Sequence, residues 1–316
     1  MAAKKQQRSR KKNGRMPARR RAGGGGSMAL DARVADHVRM VMDPCNAVLA
    51  PNAYRGKDGF ITRVNTYKTV QQASTDTCAV VAYWPRFNRT FIYSAPTSVT
   101  AFSIDFWNAT YGGEGPGGPF FGTNAAEVRP VAACITCTYT GSELNRQGQI
   151  LSAVVPYKSI TGSVSCDRLA QLAAAVQRVP DSPVEVKWIP SPENENYSSI
   201  PTTNVEIDGD DNILFHVYRG FAANTLIANA RFVGIFEWQP FYNLGIQTPS
   251  PNTPDAVGGL EKVRTILASQ GNWWTRVEAG VRTVDNAIYG AARVARAVAS
   301  TRIFAGAARA VPLLMA

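Results

Sequence analysis

Ala230-Arg-Phe-Val-Gly-Ile-Phe-Glu-Trp238 decides the fold class. Five of its nine residues are Val, Ile, Phe or Trp, with Asn229 before it and Pro240 after it. A short run of that content between turn-forming residues reads as a β-strand. Ile61-Thr-Arg-Val-Asn-Thr-Tyr-Lys-Thr-Val70 reads the same way. Working outward, comparable runs predict eight strands, near 60–72, 76–84, 97–107, 128–140, 147–156, 184–189, 212–218 and 229–238. One helical stretch interrupts them, Cys166-Asp-Arg-Leu-Ala-Gln-Leu-Ala-Ala-Ala-Val-Gln-Arg178. Strands and helices do not alternate, which argues against a parallel nucleotide-binding sheet. The expectation is a mainly β chain, a two-sheet antiparallel sandwich.

Composition agrees. The chain has 316 residues, 45% hydrophobic and only 18% charged, enough for a sizeable core. Its 19 prolines and 26 glycines suit short strands joined by many turns. No run of 18 apolar residues occurs, so no membrane span is expected. No apolar core follows the basic N-terminus, so no signal peptide is expected, and the protein is expected to start in the cytosol.

The net charge of +11 is concentrated at the two ends. Residues 1–26 hold ten Lys or Arg and no acid: Lys4, Lys5, Arg8, Arg10, Lys11, Lys12, Arg15, Arg19, Arg20 and Arg21. Residues 276–316 carry six Arg against Glu278 and Asp285, a net of +4, while residues 27–275 sum to −3. A slightly acidic body with cationic ends implies a body that meets solvent or its own copies, and ends that meet a polyanion. The blander alternative for the first end is a solubility tail or nuclear-import signal.

Four segments follow. Residues 1–27 form a basic arm without aromatic residues, too polar to fold alone, ending in Gly23-Gly-Gly-Gly-Ser27, a flexible hinge or a fusion scar. Residues 28–57 hold a short amphipathic helix, predicted over 28–42 and stopped by Asp43-Pro44, and a connecting segment. Residues 58–245 hold the strands. Residues 246–316 pass through a Pro-rich linker into helices, predicted over 260–269 and from about 274 to 310. On the second of these, Val277, Val281, Val284 and Ile288 line one face, with Arg282, Arg293 and Arg296 opposite. Packing under a wall, contact with RNA through the arginines, and insertion into a lipid interface are the competing uses of that helix.

The five cysteines, Cys45, Cys78, Cys134, Cys137 and Cys166, are expected to be small buried apolar residues in a reducing compartment. Cys134-Ile-Thr-Cys137 invites a zinc reading, but residues three apart on a strand face opposite sides. Asp208, Asp210 and Asp211, in Asp208-Gly-Asp-Asp-Asn212, offer oxygens that suit calcium. The same residues make an ordinary turn, the favoured reading. No catalytic residue is assigned: nucleophile elbow, phosphate loop, dinucleotide fingerprint and His-centred constellation are all missing from the sequence. His216, in an apolar strand, reads as a core residue.

Short blocks along the chain have a family likeness. Asp43-Pro-Cys-Asn-Ala47 with Gly59-Phe-Ile-Thr-Arg63 resembles the approach to the shell domain of tombus-like and noda-like coat proteins of small icosahedral positive-strand RNA viruses. So do Tyr139-Thr-Gly-Ser-Glu-Leu-Asn-Arg-Gln-Gly148, Val186-Lys-Trp-Ile-Pro190 and Phe232-Val-Gly-Ile-Phe-Glu-Trp-Gln-Pro240. They stand in the expected order over roughly residues 43–240. The resemblance implies an eight-stranded jelly roll that self-assembles into an icosahedral virion, put together in the host cytoplasm around genomic single-stranded RNA held by the basic arm. It also implies calcium at subunit contacts, helices at the C-terminal end that meet RNA or a host membrane, and cleavage at an Asn–Ala bond. Asn286-Ala287 is suitably placed for that cleavage, although the dipeptide recurs at Asn46, Asn108, Asn124 and Asn229. Only 78 residues follow Trp238 and they read helical, so no second projecting β-domain is expected. The rival reading is a cellular β-sandwich that binds RNA, as a chaperone for example, without forming a shell.

Overall fold

The computed structural model describes residues 32–51, 54, 59–72, 78–95, 101–200, 210–222, 224–241, 256–269 and 271. In chain order the elements are α1 (Ala32–Met42), β1 (Phe60–Gln71), β2 (Cys78–Trp84), β3 (Arg89–Ala95), β4 (Phe102–Ser103), β5 (Gly112–Glu114), α2 (Gly118–Asn124) and β6 (Ala125–Tyr139). There follow β7 (Gln149–Pro156), β8 (Ser163–Val164), α3 (Cys166–Gln171), β9 (Ala175–Arg178), β10 (Val184–Lys187), β11 (Asn212–Arg219), β12 (Ile227–Pro240) and α4 (Ala256–Ser269).

Two antiparallel sheets carry the architecture. The first has strand order β1-β12-β6-β10 and the second β5-β3-β2-β11-β7-β9, while β4 and β8 pair separately. The Ala230–Trp238 run lies in β12, between β1 and β6, which explains its apolar density. The two sheets face each other across the main core. Ala79, Val81 and Tyr83 of β2 and Leu214 and Tyr218 of β11 meet Ala133 and Ile135 of β6, Val186 of β10 and Phe232 of β12. Each fully buried Val, Ile or Phe there contributes roughly 1.5–3 kcal/mol.

The far face of each sheet is also covered. Val80, Ala82 and Trp84 of β2 and Phe215 and Val217 of β11 turn outward, under Phe102 and Val164 of the small ladder and Leu169 of α3. Cys78-Ala-Val-Val-Ala-Tyr-Trp84 is therefore buried at every position. On the other side α1 and α4 pack together on the first sheet, through Val34, Val38 and Val41 of α1 and Val263, Ile266 and Leu267 of α4, against Val131, Ala132 and Ile235.

Four expectations need correction. The strand Arg89–Ala95 was not foreseen: Pro85–Asn88 forms a turn, with Asn88 at φ 49°, and folds the chain back as a hairpin on β2. The strand expected over 97–107 shrinks to Phe102–Ser103, with 96–100 outside the described residues. The helix expected over 166–178 stops at Gln171, because Ala175–Arg178 pairs instead with Gln149–Ser152 at the edge of the second sheet. The cysteines are not all free. Cys45 is joined to Cys134 and Cys78 to Cys166, pairs 89 and 88 residues apart that only the tertiary fold brings together. Cys137 is free and buried, in the core between the sheets, so it does face away from Cys134.

Candidate functional site

The face that matters most is the layer of α1 and α4, because the two cationic ends of the sequence attach there. α1 buries Val34, His37, Val38 and Val41 and turns Arg39 to solvent, where it donates to Asp36 at 2.8 Å. Asp43 ends the helix, its N–H donating to the Arg39 carbonyl at 2.9 Å. α4 buries Val263, Ile266 and Leu267 and exposes Glu261, Lys262, Arg264 and Thr265. The segment before Ala32 carries the ten basic residues of the arm, and the segment after Ser269 carries Arg282, Arg293 and Arg296. All of these lie outside the described residues. The two helices from which the segments continue, however, sit side by side on one sheet face.

Polar bonds fasten this layer down. The Cys45–Cys134 disulfide ties the turn after α1 to β6, and the Cys45 sulfur is 3.2 Å from the Thr136 hydroxyl. The Arg63 guanidinium of β1 donates to the Ala47 carbonyl, and Arg264 of α4 pairs with Glu195. Beneath them Arg129 donates through Nε to Glu237 at 2.8 Å and through a terminal nitrogen to the Glu195 carbonyl at 2.8 Å. Its guanidinium lies 4.2 Å from the centre of the Tyr197 ring. Burial pushes the Tyr54 hydroxyl well above its usual range, with Arg129 opposing the shift.

Val184-Glu-Val-Lys187 alternates as a half-exposed strand would, yet Glu185 and Lys187 are buried. Burial raises the Glu185 carboxyl to about 7, with Lys187 pulling it down, Asp43 pushing it up and Arg231 pulling it down. Burial lowers the Lys187 ammonium, opposed by Glu185 and then by Asp43. Sequence reasoning missed Arg129, Glu185, Lys187 and Glu237. The one available signal was a charge inside an otherwise apolar strand, Arg129 in β6 and Glu237 in β12.

The acidic cluster does not converge. Asp208 lies outside the described residues. Asp210 is exposed and paired with Lys158. Asp211 is buried, accepts from Arg86 and from Asn194 at 3.2 Å each, and so pins the 192–195 turn to the start of β11. Among the described residues, one group of three potential metal ligands comes within 4.8 Å, Cys45, Cys134 and Glu185. Both sulfurs are bonded to each other, so no thiolate is offered there.

His216 is fully buried, with Nδ1 2.8 Å from the Ser152 hydroxyl and Nε2 3.4 Å from the Ile135 carbonyl. Burial pushes it down to about 4, which keeps it neutral, and it takes its place in the sandwich core. Among the described residues no helix is long and apolar enough to cross a membrane.

No protein-family description and no curated protein sequence matches this chain. Solved structures do match in fold. The T13 viral particle of infectious bursal disease virus aligns with a TM-score of 0.56 at 8% identity, over 83% of this chain and 97% of that one. The VP2 subviral particle of the same virus aligns with a TM-score of 0.53 at 9% identity, over 82% and 99%. At such identity the likeness is one of fold alone, a fold shared with those viral particles.

Proposed function

We propose that this chain is the coat protein of a small icosahedral positive-strand RNA virus, a jelly-roll wall that assembles with its own copies and packages single-stranded RNA by its cationic ends. Strand order supports the jelly roll. Set aside β3 and β5, which extend the second sheet, and the small β4–β8 ladder, and eight strands remain. Numbered one to eight along the chain, they run 1-8-3-6 in one sheet and 2-7-4-5 in the other. That is two antiparallel sheets between which the chain crosses at every step but the fourth to fifth strand, the order of two Greek keys. The tombus-like and noda-like affiliation rests on the sequence blocks alone.

The observation that carries the function is the pairing of α1 with α4 on the outer face of the first sheet. Both cationic segments therefore continue from helices on one side of the wall. A shell that holds RNA inside needs that polarity. A monomeric RNA-binding protein has no such requirement. The arm works by neutralising phosphate, which needs no base readout, and without aromatic residues it offers no stacking surface.

Negative-stain microscopy of the full chain expressed alone tests the reading. Closed particles of uniform size are expected. Small soluble oligomers that bind RNA stoichiometrically would favour the chaperone reading instead.

A further inference from the structure

At the end of the sandwich where β7 begins and β9 and β11 finish, arginines surround a cavity of about 500 Å³. Arg146 comes from the β6–β7 connection, and Arg178 ends β9. Arg219, at the end of β11, lines an adjoining basin that shares Gly148, Arg178 and Gly220 with the first. Ladder register sets the spacing: Arg219 pairs with Gln149, and Gln149 with Arg178, so the two arginines stand two strands apart, about 10 Å. Tyr218 and Ile150 turn into the core, so their neighbours Arg219, Gln149 and Arg178 turn away from it.

Glycine makes the basin possible. Gly148 and Gly220 have φ of +80° and +76°, and a Cβ on Gly148 would come within 2.5 Å of the Arg219 carbonyl. Arg219 bonds Asp167 at 3.0 Å and Arg146 bonds Asp181, acids that are 78% and 77% exposed and so open to exchange with a stronger anion. Among the described residues no acid stands within ion-pair distance of Arg178.

We propose that this basin binds the sulfate groups of a sulfated glycan on the face of the wall turned away from the genome; this rests on the coat-protein reading. Two arguments favour a glycan over RNA. Among the described residues no aromatic side chain lines the basin, so none of them would stack a base there. Arg178 and Arg219 also belong to the second sheet and turn away from the core between the sheets, whereas the α1–α4 layer from which the cationic ends continue covers the far face of the first. Guanidinium groups hold a sulfate by charge-assisted paired hydrogen bonds to two of its tetrahedral oxygens, as they hold phosphate.

The test uses the full chain with a heparin hexasaccharide as probe and a single-stranded RNA hexamer as comparison. The arm binds any polyanion, so the readout is local: protection of each arginine from an arginine-specific reagent, mapped by mass spectrometry. The hexasaccharide is expected to protect Arg146, Arg178 and Arg219, and RNA to protect only arginines of the two cationic ends. Arg178→Ala should weaken protection at Arg146 and Arg219 about tenfold in probe concentration, and Asp167→Asn, which frees Arg219, should strengthen it. Arg178 left bare by the hexasaccharide, or covered equally by RNA, would overturn the proposal. So would an Arg178→Ala chain that loses particles but keeps its protection pattern, since the arginines would then serve contacts between copies. A protected basin on a chain that never forms particles would sink the coat reading and spare the site.

Discussion

Arg129 and Glu237 face each other across β6 and β12 at 2.8 Å, each side chain 1% exposed. Glu237 also accepts from the Gly59 N–H at 2.5 Å, and Arg129 holds the Glu195 carbonyl. One buried pair thus joins the start of β1, the 192–195 turn and, through Glu195 and Arg264, helix α4. Removing one partner strands a buried charge. Glu237→Ala is expected to cost about 3–5 kcal/mol in urea unfolding. Arg129→Met with Glu237→Leu should cost clearly less than the single change, and equal losses would deny the pair its role.

Glu185 makes stability depend on pH. Below about pH 4.5 its carboxyl is neutral folded and unfolded, so the fold bears no cost there. Between that value and about 7 the unfolded chain ionises first, and the folded state loses up to roughly 3 kcal/mol as pH rises. Glu185→Gln should therefore raise the melting temperature at pH 8 and leave it unchanged at pH 4. A gain at both would point to packing rather than ionisation.

The Cys45–Cys134 bond closes a loop of 89 residues and holds the end of α1 on the sheet. Cys45→Ser is expected to destabilise by about 2–5 kcal/mol. Hydrogen exchange should quicken at α1 amides more than at β2 or β11. Uniform quickening would mean that the bond braces the whole sandwich rather than this layer.

RNA affinity should fall steeply with salt. If all ten basic residues of the arm meet phosphates, log K against log salt has a slope near −7, from about −0.7 per contact. Filter binding of a single-stranded RNA, with and without residues 1–26, measures it. A slope unaltered by the deletion would shift the contacts to the other cationic end.

Much of the fold was legible because strands with covered faces betray themselves. Cys78–Trp84 and Ala230–Trp238 are apolar at nearly every position, and both lie inside sheets between neighbours. The hairpin strand Arg89–Ala95 was hidden by its polar start, although Pro85 and Asn88 marked its turn. The Ala-rich run after Cys166 favours helix locally, and only an open sheet edge beside β7 converts its end to strand. Disulfide partners nearly ninety residues apart leave no spacing signal. Asp211 was read with its acidic neighbours as a turn or a calcium ligand, when its bond to Arg86 depends on a hairpin over a hundred residues earlier. The cationic ends were the reverse case: their chemistry is plain in the sequence, while their common origin on one face needed the packing of α1 against α4.

That common origin is tested most directly by the nuclease-protected RNA recovered per subunit from particles of the full chain and of the chain lacking residues 1–26. The account predicts closed particles in both cases and a large loss of protected RNA in the second. Equal RNA in both, or RNA that nuclease removes from intact full-length particles, would contradict it.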